Sequence, residues 1–339
     1  MDFNSAVKHV GDLVEAAKSI VIIQADNPDA DSLASALALE HILGDKGKAV
    51  SLYCGVDIPG YLRYFPGYDR VSRELPKTFD LAIMVDCSSI TLLEQLEKTK
   101  QITKLGRQPF IVIDHHTSEV DLPVEHVLLA NDKAVATGEV IYELAQARGW
   151  QINKEAAEFL ASSILADSLG LTTEAVTGRS IHILGELVDQ GVSLAEIDAR
   201  RRTTMIKPLP IIAYKAKLLE RISYYCDDRL AVVVIPWKEI EQYSPLYNPG
   251  VLALEELRLA DKVKIAIALK TYPDGKITGK LRCNFGCKIA NDLAGHFGGG
   301  GHPAAAGFKT FGWDQNDLLA EIIKQAQLLL DKEQARASI

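Results

Sequence analysis

Four short, nearly uninterrupted apolar runs mark the first third of the chain: SIVIIQ (19–24), KAVSLYC (48–54), DLAIMVDC (80–87) and PFIVIDHH (109–116). Short, β-branched runs of this kind read as buried strands. Continuous apolarity, rather than alternation, is what a parallel strand covered on both faces requires. Elsewhere the apolar residues fall at helical spacing. DSLASALALEHILGDKG reads as a helix capped by Asp31 or Ser32 and stopped near Gly44 or Gly47. VATGEVIYELAQARG, KEAAEFLASSILADS and GRSIHILGELVDQG read as further helices. Alternation of strand and helix predicts an α/β domain with a mostly parallel sheet, assigned to residues 1–198.

The pattern then changes. ARRRTTMIKPLPIIAYKAKLLERI (199–222) is basic, broken by proline and finally helical, so residues 199–223 are expected to be a linker and connecting helix. New strands follow in RLAVVVIP (229–236) and in KVKIAIALKTYPDGKITGKLRCN (262–284), the second folded as a hairpin at Pro273-Asp274-Gly275. Residues 224–335 are therefore expected to form a smaller mixed α+β domain. A length of 339 residues suits two domains.

Composition narrows the chemistry. The net charge of −8 means that the surface as a whole does not attract nucleic acid, so a polyanionic substrate must be held by a local basic patch or by metal ions. Five cysteines without a C-x-x-C pair favour reduced thiols in a cytoplasmic protein. The N-terminus lacks a secretory pattern, and no apolar run approaches the roughly 18 residues of a membrane span.

Against this background the acidic residues stand out. Asp26, Asn27, Asp29 and Asp31 crowd the turn after the first strand, where carboxylates repel unless water or a cation lies between them. The ordinary reading of such a cluster is a solvated turn ending in a helix cap. Yet Asp86 ends the third apolar run, Asp114, His115 and His116 end the fourth, and Asp167 ends the helix FLASSILAD. Open α/β sheets bind ligands outside the carboxyl ends of their strands. Delivery of D-x-D, D and D-H-H to that rim points to a shared metal site. Carboxylates with imidazoles and no thiolate suit Mn²⁺ or a similar divalent ion. Two ions could share Asp86 as a bridge, with Asp29 and Asp31 serving one each. No G-x-G-x-x-G follows the first strand, which argues against a dinucleotide dehydrogenase. The run GGGGH (298–302) offers backbone N–H groups able to approach a phosphate closely, with His302 as an added donor. His182 and His296 read as structural, Arg200, Arg201 and Arg202 as a solvated face, and Lys280 is left without a role.

The segments NPDADSLAS, VDCSS, DHH and ADSLGLTT, followed by FGGGGHPAAAGF, resemble in order the motifs of the DHH phosphoesterase superfamily and its C-terminal DHH-associated domain. The likeness points to the nanoRNase, oligoribonuclease and pAp-phosphatase-like branch. It implies a two-domain hydrolase with two Mn²⁺ ions in a cleft between the domains. It further implies Asp29, Asp31, Asp86, His115 and Asp167 as ligands, Asp114 as the group orienting His115, and His116 facing the scissile phosphate or leaving group. Arg282, Gly299, Gly300, Gly301 and His302 would bind substrate. One position departs from the pattern: many members carry histidine where this chain has Ala25, so the first ion should be held more weakly unless Gln24, Asp26 or water takes its place.

The expected activity is metal-dependent hydrolysis of short single-stranded oligonucleotides, linear dinucleotides or 3′-phosphoadenosine 5′-phosphate by metal-activated water. A RecJ-like single-strand exonuclease, the inorganic pyrophosphatase branch and a catalytically impaired nucleotide-binding regulator are the alternatives. No membrane partner is expected; a homodimer is compatible with the resemblance.

Overall fold

The computed structural model describes residues 2–116 and 120–337. It divides into two compact units, residues 1–206 and 207–339. In the first unit the strands are β1 (Ser19–Ile23), β2 (Ala49–Tyr53), β3 (Val71–Ser72), β4 (Leu81–Val85), β5 (Phe110–Asp114) and β6 (Val127–Ala130). Its helices are α1 (Phe3–Ala16), α2 (Ala30–Asp45), the short α3 (Glu94–Lys98) and α4 (Ile102–Leu105), then α5 (Thr137–Arg148), α6 (Lys154–Asp167), α7 (Gly178–Asp189) and α8 (Leu194–Thr203).

All six strands run parallel, in the order β3-β2-β1-β4-β5-β6. The apolar runs explain why. Along β1, β4 and β5 alternate side chains enter two different cores: Ile20, Ile22, Ile83, Val85, Ile111 and Ile113 on one face, Val21, Ile23, Ala82, Met84, Phe110 and Val112 on the other. Each residue is buried whichever way it points, so alternation is absent from the sequence. The chain leaves β1 in one direction to build β2 and β3 and returns on the other side for β4. The β1–β4 junction is thus a topological switch point, where the strand ends open into a crevice.

Helix α2 begins two or three residues earlier than the sequence suggested. Its N-cap is Asp29, whose Oδ1 accepts the Ser32 backbone N–H at 3.0 Å; Asp31 already lies inside the first turn. An extended cap residue and a helical neighbour cannot exchange roles, because only the cap's side chain reaches back to the free N–H groups. The C-terminal end falls where expected, at Asp45, with Gly47 at φ +76°. Helices α1 and α8 and strands β3 and β6 are additions to the elements read from sequence. The basic run Arg200, Arg201 and Arg202 forms the last turn of α8. There Arg200 pairs with Glu158, and the other two pair with Asp198.

The second unit contains β7 (Ser223–Tyr225), β8 (Leu230–Ile235), β9 (Ile265–Thr271), β10 (Lys276–Cys283), β11 (Gly300–His302) and β12 (Ala305–Phe311). Its helices are α9 (Leu209–Glu220), α10 (Trp237–Tyr243), α11 (Pro249–Leu257), α12 (Ala290–His296) and α13 (Gln315–Ala337). The strand order is β11-β12-β10-β9-β8-β7, antiparallel except for β8 against β9. Helices α12 and α13 cover one face; α9, α10 and α11 cover the other. The β9–β10 hairpin turns at Gly275, φ +74°, as the Pro-Asp-Gly signal predicts. All five cysteines are free, and among the described residues no helix is long and apolar enough to cross a membrane.

The glycine run has a structural duty here. A Cβ on Gly299 would lie 2.2 Å from the Gly307 carbonyl oxygen, and one on Gly301, at φ +147°, would lie 2.7 Å from the Ala305 carbonyl oxygen. Backbone cannot retreat as a flexible side-chain tip can. Gly299→Ala should therefore destabilise the protein by about 1–3 kcal/mol, the usual cost of overpacking. Urea unfolding monitored by circular dichroism checks this, and an unchanged midpoint would contradict the close approach.

Candidate metal centre

The acidic and imidazole residues converge at the carboxyl ends of β1, β4 and β5. Asp31, in the first turn of α2, is fully buried. Its Oδ1 accepts hydroxyl hydrogen bonds from Ser35 at 3.0 Å and Ser163 at 2.5 Å, and its Oδ2 accepts the Thr137 backbone N–H at 2.8 Å. Asp86 follows β4 in a left-handed conformation, φ 53°. For a residue other than glycine this is strained by about 1–3 kcal/mol, and such strain concentrates at functional sites. Its backbone N–H is tied to the Ile113 carbonyl at 3.0 Å, and its Oδ1 accepts the Thr137 hydroxyl at 3.3 Å.

His115 is the hub. Its Nε2 is buried without a hydrogen-bond partner, 3.3 Å from Asp167 Oδ2, 3.6 Å from Asp86 Oδ1 and 3.7 Å from Asp31 Oδ2. An orphaned ring nitrogen facing three carboxylates has one common chemical explanation, a cation among them. Ligand atoms from Asp31, His115 and Asp167 all lie within 4.8 Å of one another, and so do ligand atoms from Asp86, Asp114, His115 and His116. Oxygen and imidazole nitrogen donors without thiolate fit a divalent metal.

The electrostatics agree. Burial, followed by the charge of Asp167, pushes the Asp31 carboxyl up to about 6 from an ordinary 3.8. Burial and the neighbouring Asp31, Asp29, Asp114 and Asp167 carboxylates raise Asp86 well above its ordinary value. These groups resist sharing negative charge until a cation joins them.

Asp114 behaves differently. Burial works against its ionisation, but the His116 ring and the His115 and His116 backbone N–H groups hold its carboxyl below the ordinary value. Its Oδ1 lies 2.7 Å from His116 Nδ1. Asp114 thus orients His116, not His115, whose own Nδ1 faces the Ala134 carbonyl oxygen at 3.4 Å. The His116 pKa is raised, chiefly by that bond to Asp114, and its side chain is half exposed.

Asp29 is exposed and belongs to neither ligand group, although its charge is felt at Asp86. Ala25 is buried in the second core of the sheet. Of its proposed substitutes, Asp26 accepts the Gln95 backbone N–H through Oδ2 at 2.7 Å and keeps a buried Oδ1 without a partner, whereas buried Gln24 accepts the Ser32 hydroxyl through Oε1 at 3.4 Å.

Sequence reading missed Ser35, Thr137 and Ser163. A hydroxyl inside the apolar helix FLASSILAD was the available signal, since a buried serine needs a partner.

In the second unit, three amides of the glycine run are already donated: Gly298 to the Gly295 carbonyl oxygen, Gly299 to the Ala294 carbonyl oxygen, and Gly301 to Asn291 Oδ1 at 3.0 Å. Few remain for a ligand. Gly300 and His302 are exposed on β11, and Arg282 sits near the end of β10.

The fold and its rim of carboxylates and imidazoles are those of a metal-dependent phosphoesterase, and the DHH family's N-terminal domain matches residues 19–164. That match takes in the strands β1 to β6 and stops inside α6. The bifunctional oligoribonuclease and PAP phosphatase NrnA of Bacillus subtilis is 23% identical over 311 residues, covering 90% of this chain and 93% of that protein. The manganese-dependent inorganic pyrophosphatase of the same species is 25% identical over 186 residues, 54% of this chain and 57% of its own length. An exopolyphosphatase-related protein from Bacteroides fragilis shares the fold, with a TM-score of 0.77 at 21% identity over 96% of this chain and 98% of that one.

Two outcomes follow from the buried acids. A raised folded-state pKa means that the metal-free protein keeps protons the unfolded chain has released. The stability from Asp31 is therefore complete below about pH 4 and lost as pH rises through about 6. A divalent ion must displace those protons, so the rise in Tm produced by Mn²⁺ should grow between pH 5 and 7.5, roughly the window of that titration. Differential scanning fluorimetry reads this directly, and Asp31→Asn should flatten the profile. Ser163→Ala removes a donor from Asp31 and should weaken metal binding by about 10- to 100-fold, measured by calorimetric titration.

Proposed function

We propose that this protein is a divalent-metal phosphoesterase that hydrolyses very short oligoribonucleotides, linear dinucleotides or 3′-phosphoadenosine 5′-phosphate. The observation that carries the reading is the buried, unpartnered His115 Nε2 with three carboxylates around it. The family and the full-length similarity to an oligoribonuclease and PAP phosphatase support the substrate class.

Asp31, Asp86, His115 and Asp167 would hold two Mn²⁺ ions, Asp86 between them, with Asp29 completing one shell. The similarity to a manganese-dependent enzyme supports that choice of metal. When bound, such ions lower the pKa of water and offset charge on the phosphate. The protein does the rest. Asp114 fixes Nδ1 of His116, so the remaining ring nitrogen is free to serve the scissile phosphate. The raised pKa keeps that ring able to donate a proton to the departing oxygen near neutrality. Arg282 and His302 would grip the nucleotide. A net charge of −8 suits substrates of a few nucleotides better than long single strands, which call for a long basic channel.

The test is a substrate panel with Mn²⁺: 3′-phosphoadenosine 5′-phosphate, linear and cyclic dinucleotides, short and long RNA, and pyrophosphate. Preference for long strands or pyrophosphate, or no turnover, would overturn the proposal. Asp86→Ala should lower kcat about a thousandfold or more, since the two-ion clamp depends on it. Near-normal turnover in the folded variant would sink the shared site. Ala25→His should raise activity at low Mn²⁺ if that position is short of a ligand; an unchanged metal dependence would assign the place to Gln24, Asp26 or water.

A further inference from the structure

Strand β10 alternates strictly between buried and half-buried positions, and the half-buried set is Lys276, Thr278, Lys280 and Arg282. The last two, with Arg258 after α11, line a cavity of about 450 Å³ that lies entirely within the second unit. Leu254 and Leu259 supply apolar wall, and Glu255 is the acidic residue in the lining.

The cations are not balanced. Among the described residues neither Lys280, Arg282 nor Arg258 has a carboxylate within salt-bridge distance, and Glu255 instead accepts the Tyr247 hydroxyl and faces Lys207 at 3.8 Å. Arg282 donates through Nη1 to its neighbour's carbonyl oxygen at 2.8 Å, and Lys270 donates to Asn248 Oδ1 at 2.9 Å; both acceptors are neutral. The positive groups press on one another in series. Burial, then Lys280, lowers the Lys270 pKa; burial, then Arg282, lowers that of Lys280; burial, then Arg258, lowers that of Arg282. Like charges held together without counter-charges are costly unless an anion occupies the space they face.

We propose that Lys280 and Arg258 join Arg282 in an anion subsite that holds a terminal phosphomonoester of the nucleotide, one that is not cleaved, with Leu254 and Leu259 against its nucleoside. The subsite deepens the phosphoesterase reading, on which it rests. It makes the enzyme discriminate between phosphorylated and unphosphorylated ends. Arginine forks a phosphate through two parallel N–H bonds, while the lysine adds a compact charge.

The experiment is calorimetric binding of the 5′-phosphorylated and unphosphorylated adenylate dinucleotides to the full chain in EDTA, where nothing is hydrolysed. The intact protein should favour the phosphorylated ligand by roughly 10- to 150-fold, the range for a charged hydrogen bond. Lys280→Gln and Arg258→Gln should each cut that ratio about tenfold or more. Lys332→Gln, an exposed charge on α13, should leave the ratio intact. No preference in the intact protein, or equal weakening of both ligands in the variants, overturns the subsite. Turnover with Mn²⁺ is measured separately. Preferential binding without turnover would sink the phosphoesterase reading and spare the subsite; turnover without preference would do the reverse.

Discussion

Two carboxyl groups, Asp31 and Asp86, are buried around His115 with no lysine or arginine paired to either among the described residues, and the first unit is arranged around that conflict. Removing an ionised carboxylate from water costs several kcal/mol unless hydrogen bonds or a cation compensate. The protein supplies part of the compensation through hydroxyls and one backbone N–H. They come from Ser35 on α2, Thr137 at the start of α5 and Ser163 on α6, so the first-turn carboxylate of α2 is held by three helices at once. The packing follows from the same need. Gly138 donates its N–H to Ser163 Oγ at 2.9 Å, and a Cβ there would lie 2.2 Å from that oxygen, so α5 and α6 approach at a point where no side chain fits. Hydrogen bonds lower the cost without removing the charge conflict. The remainder falls to a divalent ion.

Topology then decides who can meet. Because β1, β4 and β5 are neighbours and parallel, their carboxyl ends lie side by side, and residues more than eighty positions apart become a cluster. A single strand ending in aspartate would be a cap. Three such ends at a switch point form a site, and the left-handed Asp86 is the strain that this placement imposes.

The rim was legible in the sequence because it is written at the ends of apolar runs, where burial stops and solvent begins. The parallel sheet was legible for the same reason. What escaped was what depends on distant partners. Whether Asp29 or Asp31 caps α2 is settled by one dihedral angle, not by residue type. Whether Asp114 turns to His115 or His116 depends on the Ala134 carbonyl, nineteen positions away, which engages the first ring. The hydroxyls around Asp31 sit on helices whose facing only the fold reveals. The glycine run hid a packing duty behind its loop signature. Its small size serves close strand approach, and its amides are mostly spent on α12.

Both units carry charge that the chain itself leaves unanswered. The first gathers carboxylates around a bare imidazole nitrogen; the second lines a cavity with cations that have no acidic partner. Neither imbalance helps folding, since repulsion among like charges opposes the compact state in each. A surface selected for stability alone would have interleaved the signs, as α8 does where Arg201 and Arg202 share Asp198. The two excesses make sense together only if the missing charges arrive from outside: cations for the first and a phosphate for the second. On this argument the chain's overall charge of −8 is no obstacle to an anionic substrate, because attraction is confined to the places where the protein withheld its own counter-ions.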